Sequence, residues 1–143
     1  MINGFYIIAV IFVICLIAAS IEDIREGEIS EELLAIMSVA PILWLMNEAT
    51  GEDLRLHLVI GTGLFAILLA DAVWGNLGGA DAITGAGIGF LLGTDGIYVM
   101  ILAFILTLPY LFSREEEEEY PFIPYIFLAF LTVILFNTIK VVC

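Results

Sequence analysis

The sequence predicts an all-α integral membrane protein of about six transmembrane helices, and three observations carry that prediction. The chain is 62% hydrophobic with a mean hydropathy of +1.12, more apolar surface than 143 residues can bury in water. A hydrocarbon core of about 30 Å takes roughly 20 apolar residues per helix, so five or six spans would consume nearly the whole chain. Lipid also leaves backbone groups no partner outside the segment, and a barrel would need alternating strands that this sequence lacks. Residues 1–143 therefore read as a single polytopic membrane domain, with no room for a separate soluble one.

The first span is predicted at 5–21. It lacks a basic leader and an A-x-A-like cleavage site, and other spans follow, so it is expected to be a retained helix and not a signal peptide. The second span, 31–47, is short and carries Pro41, which predicts a kink. The third runs over 55–74 and the fourth over 80–93, the latter short enough either to cross or to re-enter. The fifth and sixth are expected at 96–112 and 122–140. Cys15 and Cys143 form no C-x-x-C pair, which excludes a zinc ribbon.

Charge is scarce and one-sided, with 17 acidic against 4 basic residues and a net charge of -13. Six crossings sort the loops. Glu22 to Glu32, Asp71, Asp81 and the run Glu115 to Glu119 fall on one side, while Glu48, Glu52, Asp53, His57 and Asp95 fall on the other. Basic residues do not name the sides, because Arg25 and Arg114 balance Arg55 and Lys140.

The chemistry points to Asp23, at the end of span one, and Asp81, at the start of span four. Both lie at the margin of the bilayer on the same side. Two carboxylates brought close do not both ionise easily, so one keeps a proton while the other acts as a base for water. Such a pair hydrolyses an amide with no metal, cofactor or covalent nucleophile. Gly75 to Asp81 is rich in glycine, and Gly85, Gly89 and Gly93 repeat every fourth residue after it. That small-xxx-small spacing predicts close packing against another helix, and span one as that neighbour would carry Asp81 toward Asp23.

Plainer readings stand beside these. Asp23 in a charged loop also fits a solvated acid, and Asp81 fits a helix cap. Asp71 is deeper in the membrane than either, and it joins the site, only lines it or snorkels to the interface. His57 is expected at the opposite interface. A small acidic transport or channel subunit using intramembrane carboxylates is an alternative from another class, and a non-catalytic membrane scaffold is a third.

Asp23-Ile24-Arg25 followed by Glu28-Ile29 resembles the D-x-R-x-x-x-I-P motif of the type IV prepilin peptidase and archaeal preflagellin peptidase family. Gly78-Gly79-Ala80-Asp81 resembles that family's second motif, G-x-G-D or its archaeal variant. Tyr120-Pro121-Phe122-Ile123-Pro124-Tyr125 is similar to the I-P-F-G-P segment that opens the family's last helix. The resemblance implies a six-helix intramembrane aspartic endopeptidase with Asp23 and Asp81 catalytic at the cytoplasmic face of the cell membrane. It implies removal of the short basic leader, a class III signal peptide, from prepilin or pre-archaellin-like precursors. The lipid bilayer is the other partner, and neither nucleic acid, metal nor cofactor is expected. With only two distant cysteines, the chain looks like a peptidase without the methyltransferase segment of bacterial members.

Arg25, Gly78 and Gly79 are the candidate supporting residues within these motifs. Glu115, Glu116 and Glu117 are candidates for drawing in the basic leader, since a cluster of one sign concentrates the opposite charge, although a solvated loop accounts for them too. Departures are Ile83 where the family has lysine, Ser30 in place of proline, and Ile123 in place of glycine. Helix dipoles predict the division of labour. Asp23 follows the C-terminal end of a helix, which favours the protonated acid, and Asp81 begins one, which favours the base.

Overall fold

The computed structural model describes residues 4–48, 51–74, 77–113 and 121–142. These form six helices and no strand among the described residues: α1 (Gly4–Glu26), α2 (Glu31–Glu48), α3 (Gly51–Val73), α4 (Gly79–Leu92), α5 (Thr94–Ser113) and α6 (Ile123–Val142). The all-helical expectation is met. Two of the helices, over Tyr6–Glu26 and Gly51–Val73, are long and apolar enough to cross a membrane.

Boundaries differ from expectation in one place that matters. The first helix continues five residues past Ile21, so Asp23 belongs to its last turns and does not follow them. Termination comes at Gly27, whose φ of 68° is the left-handed conformation that glycine adopts at no steric cost. Its N–H donates to the Asp23 carbonyl at 3.2 Å. Helix α2 remains helical through Pro41, as α5 does through Pro109.

Contacts between helix ends show the chain running up and down. The end of α1 meets the start of α6, where the Ile123 N–H donates to Asp23 Oδ2 at 3.1 Å. At the opposite end, His57 near the start of α3 lies 2.8 Å from the Phe90 carbonyl near the end of α4. There Asn137 Nδ2, late in α6, donates to Asp95 Oδ2 at the start of α5 at 2.7 Å.

Helix α4 is the central element. Its 14 residues span about 21 Å at a rise of roughly 1.5 Å per residue, and most of them are buried. It packs chiefly against α3, then α2 and α5. Close packing of the glycine face is met by α3, and span one is not that neighbour: α1 packs on α2 and α6, and reaches α4 through single side chains such as Phe12, beside Gly87. The reason is on the glycine face. A Cβ at Gly89 would lie 2.7 Å from the Gly61 Cα, so two glycines meet backbone to backbone where α3 crosses α4. Gly85 faces Leu68 of α3, and Gly87 faces the Met37 carbonyl of α2. Around these contacts one core gathers Phe12 and Leu16, Met37, Leu68, Ile88 and Leu91, Val99, and Ile126 and Phe130. Outward faces are equally apolar: Val10, Ile14 and Ile17 on α1 and Val59 and Ile67 on α3 are exposed.

Candidate active site

The site is built at the end of the bundle where α1 finishes and α4 and α6 begin. Helix α4 starts with Gly78 as its N-cap, in extended backbone at φ -83° and ψ 155°. Having no side chain, Gly78 cannot cap the helix itself. Asp81, at the third helical position, reaches back instead, and its Oδ2 accepts the Gly78 N–H at 2.9 Å. The Asp81 N–H in turn donates to the Gly78 carbonyl at 3.1 Å. This is one half of a capping box, and it satisfies a donor that a helix start leaves open. The cap reading of Asp81 therefore holds as geometry. It does not compete with chemistry, because a carboxylate has two oxygens and the cap engages Oδ2.

Asp81 is nearly buried, at 7% exposure. Below it, Thr84 is fully buried and turns its hydroxyl to the Ala80 carbonyl at 2.9 Å, so it adds no donor to the carboxylate. Ile83, where the related motif has lysine, lines an apolar cleft with Ser38, Thr62, Phe65 and Phe90. Ammonium there would enter apolar surroundings without a counter-charge, a costly arrangement that isoleucine avoids.

Asp23 arrives from α1 and is half-buried. The solvated-loop reading of this acid gives way to a tertiary contact: its Oδ2 holds the first amide of α6. The segment with the third likeness to the peptidase motifs is where this happens. Phe122 and Ile123 are buried there, the Phe122 ring lying 5.0 Å from that of Phe104, while Tyr120 lies outside the described residues. Asp23 and Asp81 are within electrostatic reach of one another.

One sequence expectation is corrected by this geometry. Asp23 lies near the C-terminal end of its own helix, but its carboxylate sits on the N-terminus of α6, as that of Asp81 sits on the N-terminus of α4. Each carboxylate thus meets the positive end of a helix dipole, and the dipoles do not divide the acid from the base.

The remaining candidates fall into place unevenly. Arg25 is exposed on the last turn of α1. Gly78 and Gly79 are exposed beside Asp81, and a Cβ at Gly79 would meet nothing within 4 Å among the described residues. Asp71 is half-buried in the last turn of α3. Helices α3 and α4 are antiparallel about the Gly61–Gly89 crossing, so equal steps from it bring Asp71 level with Gly79, at the same end of the bundle as the pair. Glu115, Glu116 and Glu117 lie outside the described residues. His57 and Asp95 are at the opposite end. Among the described residues no group of three His, Cys, Asp or Glu side chains is placed to hold a metal ion.

Sequence reasoning placed Glu22 among the acids of one side and gave it no role. Its carboxylate takes both the N–H of Ser30, at 2.8 Å, and the Ser30 hydroxyl, at 3.3 Å. The signal was Ser30 itself, which restores the N–H that proline would lack.

Comparison with curated proteins and with solved structures brings no match. The family model of type IV leader peptidases matches residues 10–112, which include both aspartates and end before the segment that opens α6. That match covers well over half of the sequence, so the chain belongs to the type IV leader peptidase family.

Proposed function

We propose that the protein is an intramembrane aspartic endopeptidase that removes the short basic leader from prepilin or pre-archaellin-like precursors. The observation that carries this reading is that Asp23 and Asp81 lie at the same end of the bundle, within electrostatic reach of one another, each accepting a backbone N–H through Oδ2. In this mechanism the pair shares one proton and holds a water between them. As the water oxygen attacks the scissile carbonyl carbon, one carboxylate takes a water proton and the other carboxyl gives its proton to the carbonyl oxygen. The resulting gem-diol collapses with cleavage of the C–N bond. The proton taken from water passes to the leaving nitrogen, and a hydroxyl proton of the gem-diol returns to the second carboxylate, so the pair ends as it began.

The apolar outer faces support six helices embedded in a cell membrane, with the pair at the cytoplasmic face where a precursor's basic leader would lie. A hydrophobic precursor helix would lie in the same bilayer and present the bond just before it at the level of the pair. The exposed Gly78 and Gly79 leave space beside Asp81 for the substrate backbone. Arg25 and the acids Glu115, Glu116 and Glu117 are assigned to that substrate, the acids by attraction to the basic leader. The protein acts without a methyltransferase segment.

The test is cleavage of a co-expressed precursor by Asp23→Asn and Asp81→Asn. Asparagine keeps an oxygen for the Ile123 or Gly78 N–H, so folding is expected to survive while cleavage falls by about 10²–10⁴ with either change. A transport or scaffold protein would show no cleavage in the parent, and undiminished cleavage by both variants would remove the aspartic mechanism.

A further inference from the structure

The last turn of α1 carries two adjacent carboxylates that reach different helices. Glu22 and Asp23 are separated by about 100° around the helix axis, the angle between consecutive residues. Asp23 meets the first amide of α6, and Glu22 meets Ser30, the residue before α2. Glu22 accepts from both the Ser30 amide and hydroxyl, a two-point hold across a loop that begins at the left-handed Gly27. Both bonds end on an ionisable acceptor, the stronger kind.

We infer that Glu22 is a positioning residue for the catalytic pair, clamping α1 to α2 through Ser30 so that the neighbouring Asp23 is held in register with Asp81. This rests on the aspartic peptidase reading above. Asp23 has a demand on it that Glu22 does not. During hydrolysis it gains and loses a proton and its contacts with substrate change, so it cannot at the same time be the sole tie that sets the last turn of α1. Glu22 supplies a tie that stays constant through the cycle. Position 30 is proline in the related motif, where the ring stiffens the loop by fixing φ. Serine gives up that stiffness but has an N–H, and Glu22 uses it. The clamp and the serine are thus one device.

The experiment uses the full chain in detergent micelles or native membranes and four variants: Glu22→Ala, Glu22→Gln, Ser30→Pro, and Glu22→Ala with Ser30→Pro. Leader cleavage and hydrogen exchange of the Ser30 amide are both measured. Glu22→Ala is expected to lower kcat about tenfold with KM nearly unchanged, because a misplaced catalytic group slows chemistry more than it weakens binding. Glu22→Gln keeps a carbonyl oxygen for the Ser30 N–H and restores most of the rate, which a merely charged surface role would not allow. The double variant is expected to cleave at least as fast as Glu22→Ala alone, since the two changes remove one interaction. Exchange at Ser30 is expected to speed up at least tenfold in Glu22→Ala and to stay slow in Glu22→Gln.

Equal cleavage by the parent and Glu22→Ala would overturn the positioning role, as would equal losses in the Ala and Gln variants or losses that multiply in the double variant. A parent that cleaves no leader would refute the proposed function instead. In that case Ser30 exchange still decides whether the clamp exists: unprotected exchange in the parent overturns it, and protection lost only in Glu22→Ala supports it.

Discussion

The first turn of α4 and the middle of the same helix are both rich in glycine, and they use it for opposite ends. From Gly85 to Gly89 the missing side chains are filled by other helices: Leu68, the Met37 carbonyl and the Gly61 backbone occupy the places where Cβ atoms would go. At Gly78 and Gly79 nothing among the described residues fills them. The nearest atom to a Cβ at Gly78 is Asp81 Oδ2 at 3.5 Å, an ordinary contact, and both residues are exposed. Neither requires a left-handed backbone, since neither is among the positive-φ glycines. Glycine in the middle of α4 is thus demanded by the fold. At its start the fold does not demand it, and the open space lies beside a nearly buried carboxylate.

The largest effect expected from this contrast is at Asp81, where the two regions join. Asp81→Asn should lose at least a hundredfold in cleavage with its melting temperature held, because the amide oxygen still accepts the Gly78 N–H. A variant that instead unfolds would mean that the charge of the carboxylate at the start of α4 holds the helix in place, and would erase the distinction between the open and the packed part of α4.

Next in size is Gly89→Ala. A methyl group 2.7 Å from the Gly61 Cα meets backbone that cannot rotate aside, so α3 and α4 must separate. Overpacking of this kind costs about 1–3 kcal/mol, and the midpoint of thermal or denaturant unfolding should fall accordingly. Gly79→Ala sharpens the comparison from the other side. The added methyl group meets no atom of the described residues within 4 Å, and alanine is the better helix former, so stability should hold or rise by up to about 1 kcal/mol. Cleavage is expected to fall several-fold through KM if the space admits substrate backbone. Unchanged kinetics in a stable Gly79→Ala variant would show that the space is idle.

How much of this was legible in the sequence depended on how local the determining physics was. Helices were legible because hydropathy and length act segment by segment, and every predicted span overlaps a helix. That Asp23 and Asp81 lie at one end of the bundle was legible because the alternating direction of successive helices predicts it. Which helix the glycine face of α4 would meet was not legible: Gly85 and Gly89 announce close packing, but the partner is chosen by Gly61, which has no motif of its own. The carboxylate of Asp23 meeting Ile123 was hidden for the same reason, since the two are 100 residues apart and an amide hydrogen leaves no mark in composition. Glu22 looked like its acidic neighbours because only the folded loop brings Ser30 to it.

The smallest expected effect lies at the far end of α4, about 21 Å from its first turn. There His57 Nδ1 is 2.8 Å from the Phe90 carbonyl, and because a carbonyl only accepts, Nδ1 carries the hydrogen. The ring also packs beside Trp44, with centroids 5.8 Å apart, and against Gly93, whose φ of 56° ends the helix. A helix end leaves carbonyls open, and His57 takes one from a neighbouring helix. His57→Phe keeps the ring and removes the donor, so stability should fall by about 0.5–1.5 kcal/mol, the net worth of one hydrogen bond. Cleavage by the folded variant should match the parent in both kcat and KM, because nothing in the contact reaches Asp23 or Asp81. A fall in kcat at full folding would show that the two ends of α4 are mechanically coupled, and that the start of the helix is not the separate region its glycines describe.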